Sequence, residues 1–219
     1  MKRFLITAFV LAVSTSHANA NSITSLYNTG VDNSSALLAA KSTDGHYTLV
    51  SNANYSPMVT TGATIAGNAS EGFPYSGPWL GDNTSSEWII PGTNASGVGY
   101  FDYQTTFSLA GLNAVTAQIT GQWSTDNIGI DIILNGVSLG LTNTNQFSSW
   151  TPFSITSDFV AGLNTLDFIV RNTAVSPTGL RVEMSGTAAA ISTAVPEPGI
   201  IWMFISGLCG LFAYKRNQQ

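Results

Sequence analysis

The chain has 219 residues, of which 44% are hydrophobic, 11% aromatic and only 9% charged, with 21 glycines and one cysteine. So many aromatic residues in so clear an apolar pattern exclude intrinsic disorder, and the shortage of charge excludes long solvated helices. Between residues 21 and 195 three basic residues face eleven acidic ones, a balance of −8, which repels nucleic acid and anionic lipid and leaves no nucleic-acid partner.

The N-terminus opens with Lys2 and Arg3, continues through an apolar run from Phe4 to Val13, and reaches Ala18-Asn19-Ala20. A positive start, a short apolar stretch and an A-x-A site describe a secretory signal peptide over residues 1–20. The run is too short for a hydrocarbon core of roughly 30 Å. The expected partners are the secretory translocon and signal peptidase, with cleavage after Ala20 and a mature chain starting at Asn21.

Downstream, no segment offers ten or more residues of helical periodicity and only Ser34 to Lys41 could form a short helix, while strands are expected over Tyr47 to Ser51 and Glu87 to Ile90. The Gly/Pro/Asn-rich stretch from Asn52 to Ser86 reads as loops. From Phe101 the chain alternates with period two, the mark of half-buried strands. Phe101, Tyr103, Thr105, Phe107 and Leu109 share one face. Val115, Ala117, Ile119, Gly121 and Trp123 share the next, and Ile128, Ile130, Ile132 and Leu134 the one after. Asn135-Gly136 supplies a two-residue hairpin turn, with Val137, Leu139 and Leu141 returning beside it. Later strands carry Leu166, Phe168 and Val170, then Leu180, Val182 and Met184. Eight or nine strands predict an all-β fold, an antiparallel β-sandwich of jelly-roll type, over residues 21–190.

Among side chains that carry chemistry, Tyr75 and Trp79 in the loop Pro74 to Trp79, and Trp150 between polar residues, are candidates for stacking on sugar rings. Trp123 and Trp88 fall within strands and are expected in the core. Asp126, Asn127 and Asp131 offer the oxygen ligands that calcium takes, although Asp126-Asn127 reads equally as a turn and no D-x-D-x-D-G loop is present. No other cofactor is indicated. His46 is the one histidine after the leader, and Cys209 lies in the C-terminal apolar run. Zinc sites and disulfides in the exported domain are therefore ruled out, and the chain is expected not to be an enzyme.

A linker, residues 191–195, leads to Val195-Pro196-Glu197-Pro198, an apolar run over 199–214, and then Lys215 and Arg216. As a helix the run measures about 24 Å, short for a single membrane crossing, with Tyr214 and the two basic residues positioned to anchor it. The positive-inside rule leaves the domain outside the cytoplasm. Val195 to Gln219 resembles the PEP-CTERM sorting signal of Gram-negative bacteria, the signal itself taking residues 196–219. The resemblance implies an exosortase-type membrane protease as partner, a transient stay at the inner membrane, and release to the cell surface or medium. A permanent single-span anchor remains the alternative.

Tyr47-Thr48-Leu49, Trp123-Ser124-Thr125-Asp126-Asn127, Leu134-Asn135-Gly136-Val137, the segment Phe159 to Leu166, and the strand Pro177 to Val182 resemble the galactose-binding-like jelly roll found in many PEP-CTERM proteins. The resemblance implies a carbohydrate-binding module associated with exopolysaccharide. The alternatives are a purely structural biofilm or surface-layer component, and an uncharacterised glycosidase.

Overall fold

The computed structural model describes residues 20–59, 63–66, 78–92, 97–191 and 207–208. The leader up to residue 19, including Ala18, lies outside the described residues, as do Tyr75, Val195, Pro196, Glu197, Pro198, Lys215 and Arg216. Among the described residues no helix is long and apolar enough to cross a membrane.

The described chain is all-β. Its strands are β1 Ala20–Ser22, β2 Thr43–Val50, β3 Ala63–Ala66, β4 Ile89–Pro91, β5 Gly99–Ser108, β6 Gln118–Asp126, β7 Ile128–Leu134, β8 Val137–Ser138, β9 Thr151–Ile155, β10 Leu163–Asn172 and β11 Gly179–Ala189. Every strand pairing is antiparallel, in the order β8-β7-β10-β5-β2-β3-β4-β11-β6-β9, with β1 added beside β11. This one sheet curls so that its two halves face each other across the core. Phe168 on β10 lies 5.8 Å from Trp123 on β6 and 6.0 Å from Phe153 on β9, ring centre to ring centre. Burying large aromatic rings from opposite halves is what holds the curl closed.

The period-two reading holds for β5, where Phe101, Tyr103, Thr105 and Phe107 are all buried. Trp88 and Trp123 are fully buried as expected. Asn135 (φ 52°) and Gly136 (φ 81°) adopt left-handed geometry and pair Leu134 with Val137. The returning strand, however, ends at Ser138. Leu139 donates one hydrogen bond to Ile132 at 3.0 Å, and Leu139 and Leu141 pack on the core edge from outside any strand.

Several expectations need correction. Ser34 to Lys41 forms no helix. The Asp32 carboxylate accepts the N–H groups of Ser34 and Ala36 at 2.8 and 3.0 Å, drawing them from any helical pattern, and Ser35 sits at φ 64°. Val31 instead bridges Leu37 across a tight loop. The stretch Asn52 to Ser86 is not all loop, because β3 lies within it and joins β2 to β4. Val115 belongs to a short 3₁₀ turn, Ala114–Thr116, and is 90% exposed rather than facing the core. On β7 the alternation slips: Ile169 pairs with Asp131 but Val170 with Gly129, so Ile130 is bulged. Ile132 and Leu134 therefore reach the core, while Ile128 and Ile130 stay half-buried outside it.

Candidate functional site

Leu180 and Val182 on β11 point into the core, so Arg181, Glu183, Ser185 and Thr187 line the opposite face. Their partners on β6 across the ladder are Ser124, Gln122, Thr120 and Gln118. The result is a sheet face of hydroxyls and amides on which Glu183 is the one half-exposed charge. A groove of about 440 Å³ runs along it, lined by Asn28, Ser85, Thr120, Gln122, Glu183 and Ser185. A second hollow of about 260 Å³ shares Thr120 and Ser185 and continues to Gln118, Thr187 and Ser22. The two form one polar channel parallel to the strands.

One wall of the channel is the loop 78–88, and Arg181 holds it down. Arg181 is fully buried, donates through Nε to Ser86 Oγ at 2.8 Å and through Nη1 to the Gly81 carbonyl, and lies 4.8 Å above the Trp150 ring. Its Nη2 stands 3.7 Å from Glu183 Oε1. Burial lowers the Arg181 pKa, while Asp82, Glu183 and Glu87 push it back up. Glu183 in turn accepts from Asn83 Nδ2 at 2.6 Å, Ser86 Oγ at 2.8 Å and Gln122 Nε2 at 2.9 Å. Partial burial would raise its carboxyl, but these hydrogen bonds and the Arg181 charge outweigh it and hold the group below its usual range. Glu183 is thus an ionised tie between sheet and loop, and the lone carboxylate lining the groove.

Next to this wall, a second apolar cluster covers the outer face of β3 and β4. Ile65, Trp88 and Ile90 are buried, with Trp79, Leu80 and Phe147 packed against them. Trp79 stacks on Phe147 at 5.0 Å and meets Trp88 edge-on at 4.9 Å. Leu80 N–H donates to the Phe147 carbonyl at 2.7 Å. The structure thus brings Trp79 and Trp150 to the same end of the channel, both half-buried. Trp79 carries Phe147 on one ring face and Trp150 carries Arg181, so neither is an open two-sided platform.

The calcium candidates are engaged by the protein. Asp126 Oδ1 accepts from Asn127 Nδ2 at 2.6 Å, and burial pushes the Asp126 carboxyl up to about 7. Asp131 accepts from Ser138 Oγ at 2.5 Å and from Gly140 N–H at 2.9 Å, pinning the β7–β8 hairpin. Among the described residues no group of three or more His, Cys, Asp or Glu is arranged to hold a metal ion. His46 is half-buried and stacks on Tyr27 with ring centres 3.6 Å apart.

In the sequence Gln118, Thr120 and Gln122 alternate with the apolar residues of β6, and nothing local tells such an exposed polar face from a lined groove.

No family model matches the chain, and no curated protein matches it. Among solved structures, the CBM36-1 domain of a multidomain xylanase from the hindgut metagenome of Trinervitermes trinervoides aligns with 52% of this chain and 86% of its own length. The identity is 13% and the TM-score 0.31. A superposition that loose transfers no binding site.

Proposed function

We propose that the domain is a non-catalytic, exported binding module that holds a polysaccharide in the channel on β6 and β11. The observation that supports this is the channel's chemistry. Thr120, Ser185, Gln118 and Thr187 present hydroxyl and amide groups in a row, and Glu183 is occupied by protein donors. Sugar hydroxyls both donate and accept, and so match side chains that do the same. From Gln122 to Gln118 the strand advances about 13 Å, room for a short run of an extended chain. Two-carboxylate glycoside hydrolysis needs a facing pair of acids, and the groove supplies one that is already tied. Export, residence at the inner membrane through residues 199–214, and processing beside Pro196-Glu197-Pro198 complete the proposal. They place the module at the surface or in an exopolysaccharide matrix.

Titration against a polysaccharide panel tests it. Saturable binding is expected, and Thr120→Arg with Ser185→Arg should weaken it at least tenfold without lowering Tm, since both side chains point out of the fold. Absence of binding across the panel, or binding indifferent to the double variant, would leave a purely structural matrix role as the reading.

A further inference from the structure

One end of the sandwich is apolar. Three segments meet there: the loop after β5, the loop before β10, and the chain leaving β11. Backbone hydrogen bonds stitch them together, from Leu109 N–H to Gly162 at 2.7 Å, Asn113 N–H to Ala189 at 2.7 Å, and Ile191 N–H to Gly111 at 3.0 Å. On this surface Val115 is 90% exposed, Leu163 67%, Ile191 55% and Val160 46%. Val115, Ile191 and Ala161 line a hollow of about 510 Å³. Residues 109–116, 159–165 and 186–191 contain no charged side chain, although the domain as a whole is strongly acidic; Asp158 borders the patch in sequence. Aliphatic side chains gathered like this mark a contact surface, because each square ångström left in water costs about 25 cal/mol.

The chain itself indicates what covers it. Seven residues, 192–198, separate Ile191 from the apolar run 199–214. Even fully extended they reach at most about 25 Å. A tail held in a bilayer therefore keeps this end near the membrane, while the far end, with the loop 173–178, lies about 30 Å further along the ten-residue β10. We propose that this end of the domain seats in the interfacial layer of the bilayer that holds its own tail, with Val115 and Leu163 inserted among the headgroups. The proposal rests on the reading of 199–214 as a membrane segment. Freedom from charge fits the site: a carboxylate there would lose hydration and meet anionic headgroups, whereas valine and leucine gain by leaving water.

The test uses the full chain with Cys209→Ser and a single new cysteine, in turn Val115→Cys, Leu163→Cys or Val175→Cys, each carrying an environment-sensitive fluorophore. Val175 is the control, because it is 82% exposed but lies at the far end. The protein is reconstituted into phosphatidylethanolamine–phosphatidylglycerol vesicles containing a lipid-borne nitroxide quencher. Labels at 115 and 163 are expected to be quenched at least threefold more than the label at 175. Equal quenching in protein that floats with the vesicles would overturn the interfacial seat and leave the membrane tail standing. Protein that does not float would overturn both. Labels at 115 and 163 shielded from aqueous iodide yet untouched by the lipid quencher would mean that a second copy, or the chain's own tail, covers the patch, and the lipid proposal would fail.

Discussion

Asp102 shows how one side chain can set the response of the fold to pH. It lies on the outer face of β5, 1% exposed, with Oδ2 accepting from Asn52 Nδ2 at 3.0 Å and Oδ1 buried without a partner. Burial pushes its carboxyl up to about 7; the Asn52 bond opposes the shift and the nearby Asp167 adds to it. A carboxyl raised above its unfolded value of about 3.9 favours the protonated folded state. The stability it contributes is complete below that value and is lost as pH rises towards 7. Asp126, raised to about 7 by burial, acts in the same sense. Asp102→Asn keeps an acceptor for Asn52 and removes the buried charge, so Tm at pH 8 should rise by roughly 5 °C while Tm at pH 4 stays nearly unchanged. Thermal melts at both values decide it, and an equal shift at the two would show that ionisation is not the cause. None of this was legible in the sequence, where Asp102 is one acid among eleven in the domain, and burial on the outer face depends on segments far away in the chain.

At the scale of elements, sequence periodicity located β5, β6, β7, β10 and β11, and on β7 it found the strand but not which side chains face the core. It failed where geometry breaks the repeat. The bulge at Ile130 returns Gly129 to the core side, and a Cβ there would lie 2.5 Å from Trp123 Cη2 and 2.8 Å from Asn143 Cβ. Gly129 and Asn143 exchange backbone hydrogen bonds of 3.0 and 2.9 Å, and the Asn143 side chain accepts from Gln146 N–H and Thr151 Oγ1. The absent side chain at 129 therefore positions the loop 143–151, and with it Phe147 and Trp150 beside the channel. Gly129→Ala should cost about 1–3 kcal/mol in denaturant unfolding and should weaken glycan binding with it. An unchanged unfolding midpoint would mean that the Trp123 ring yields freely. The short β3 went unseen for a simpler reason: four residues among glycines and prolines carry no readable period.

For the whole molecule, an all-β sandwich followed from strand number and turn spacing, but the single curled sheet did not, because its order depends on which distant strands meet. The candidate site was legible only at its aromatic end. Trp79 and Trp150 stand out by type, whereas Arg181 and Glu183, which tie that end to the sheet, look like ordinary surface charges until the loop 78–88 is seen to cover them. The proposed delivery signals lie outside the described residues and rest on the sequence alone. Replacing Pro196-Glu197-Pro198 with alanines should leave uncleaved protein in the membrane fraction of the native host. Normal release of such a variant would rule out processing at that motif.

Glu183, Ser185 and Thr187 on the channel floor belong to the same strand, β11, that runs on to Ile191 and the tail. If a bound polymer pulls on the module while the tail is held, the load taken up by β6 and β11 leaves the sheet through β11. It meets the ladder to β6, nine residue pairs from Gly179 to Thr187, lengthwise. Hydrogen bonds loaded in that direction share the force and yield together. Under the proposed function, the domain would resist force best along the line from the groove on β11 to Ile191.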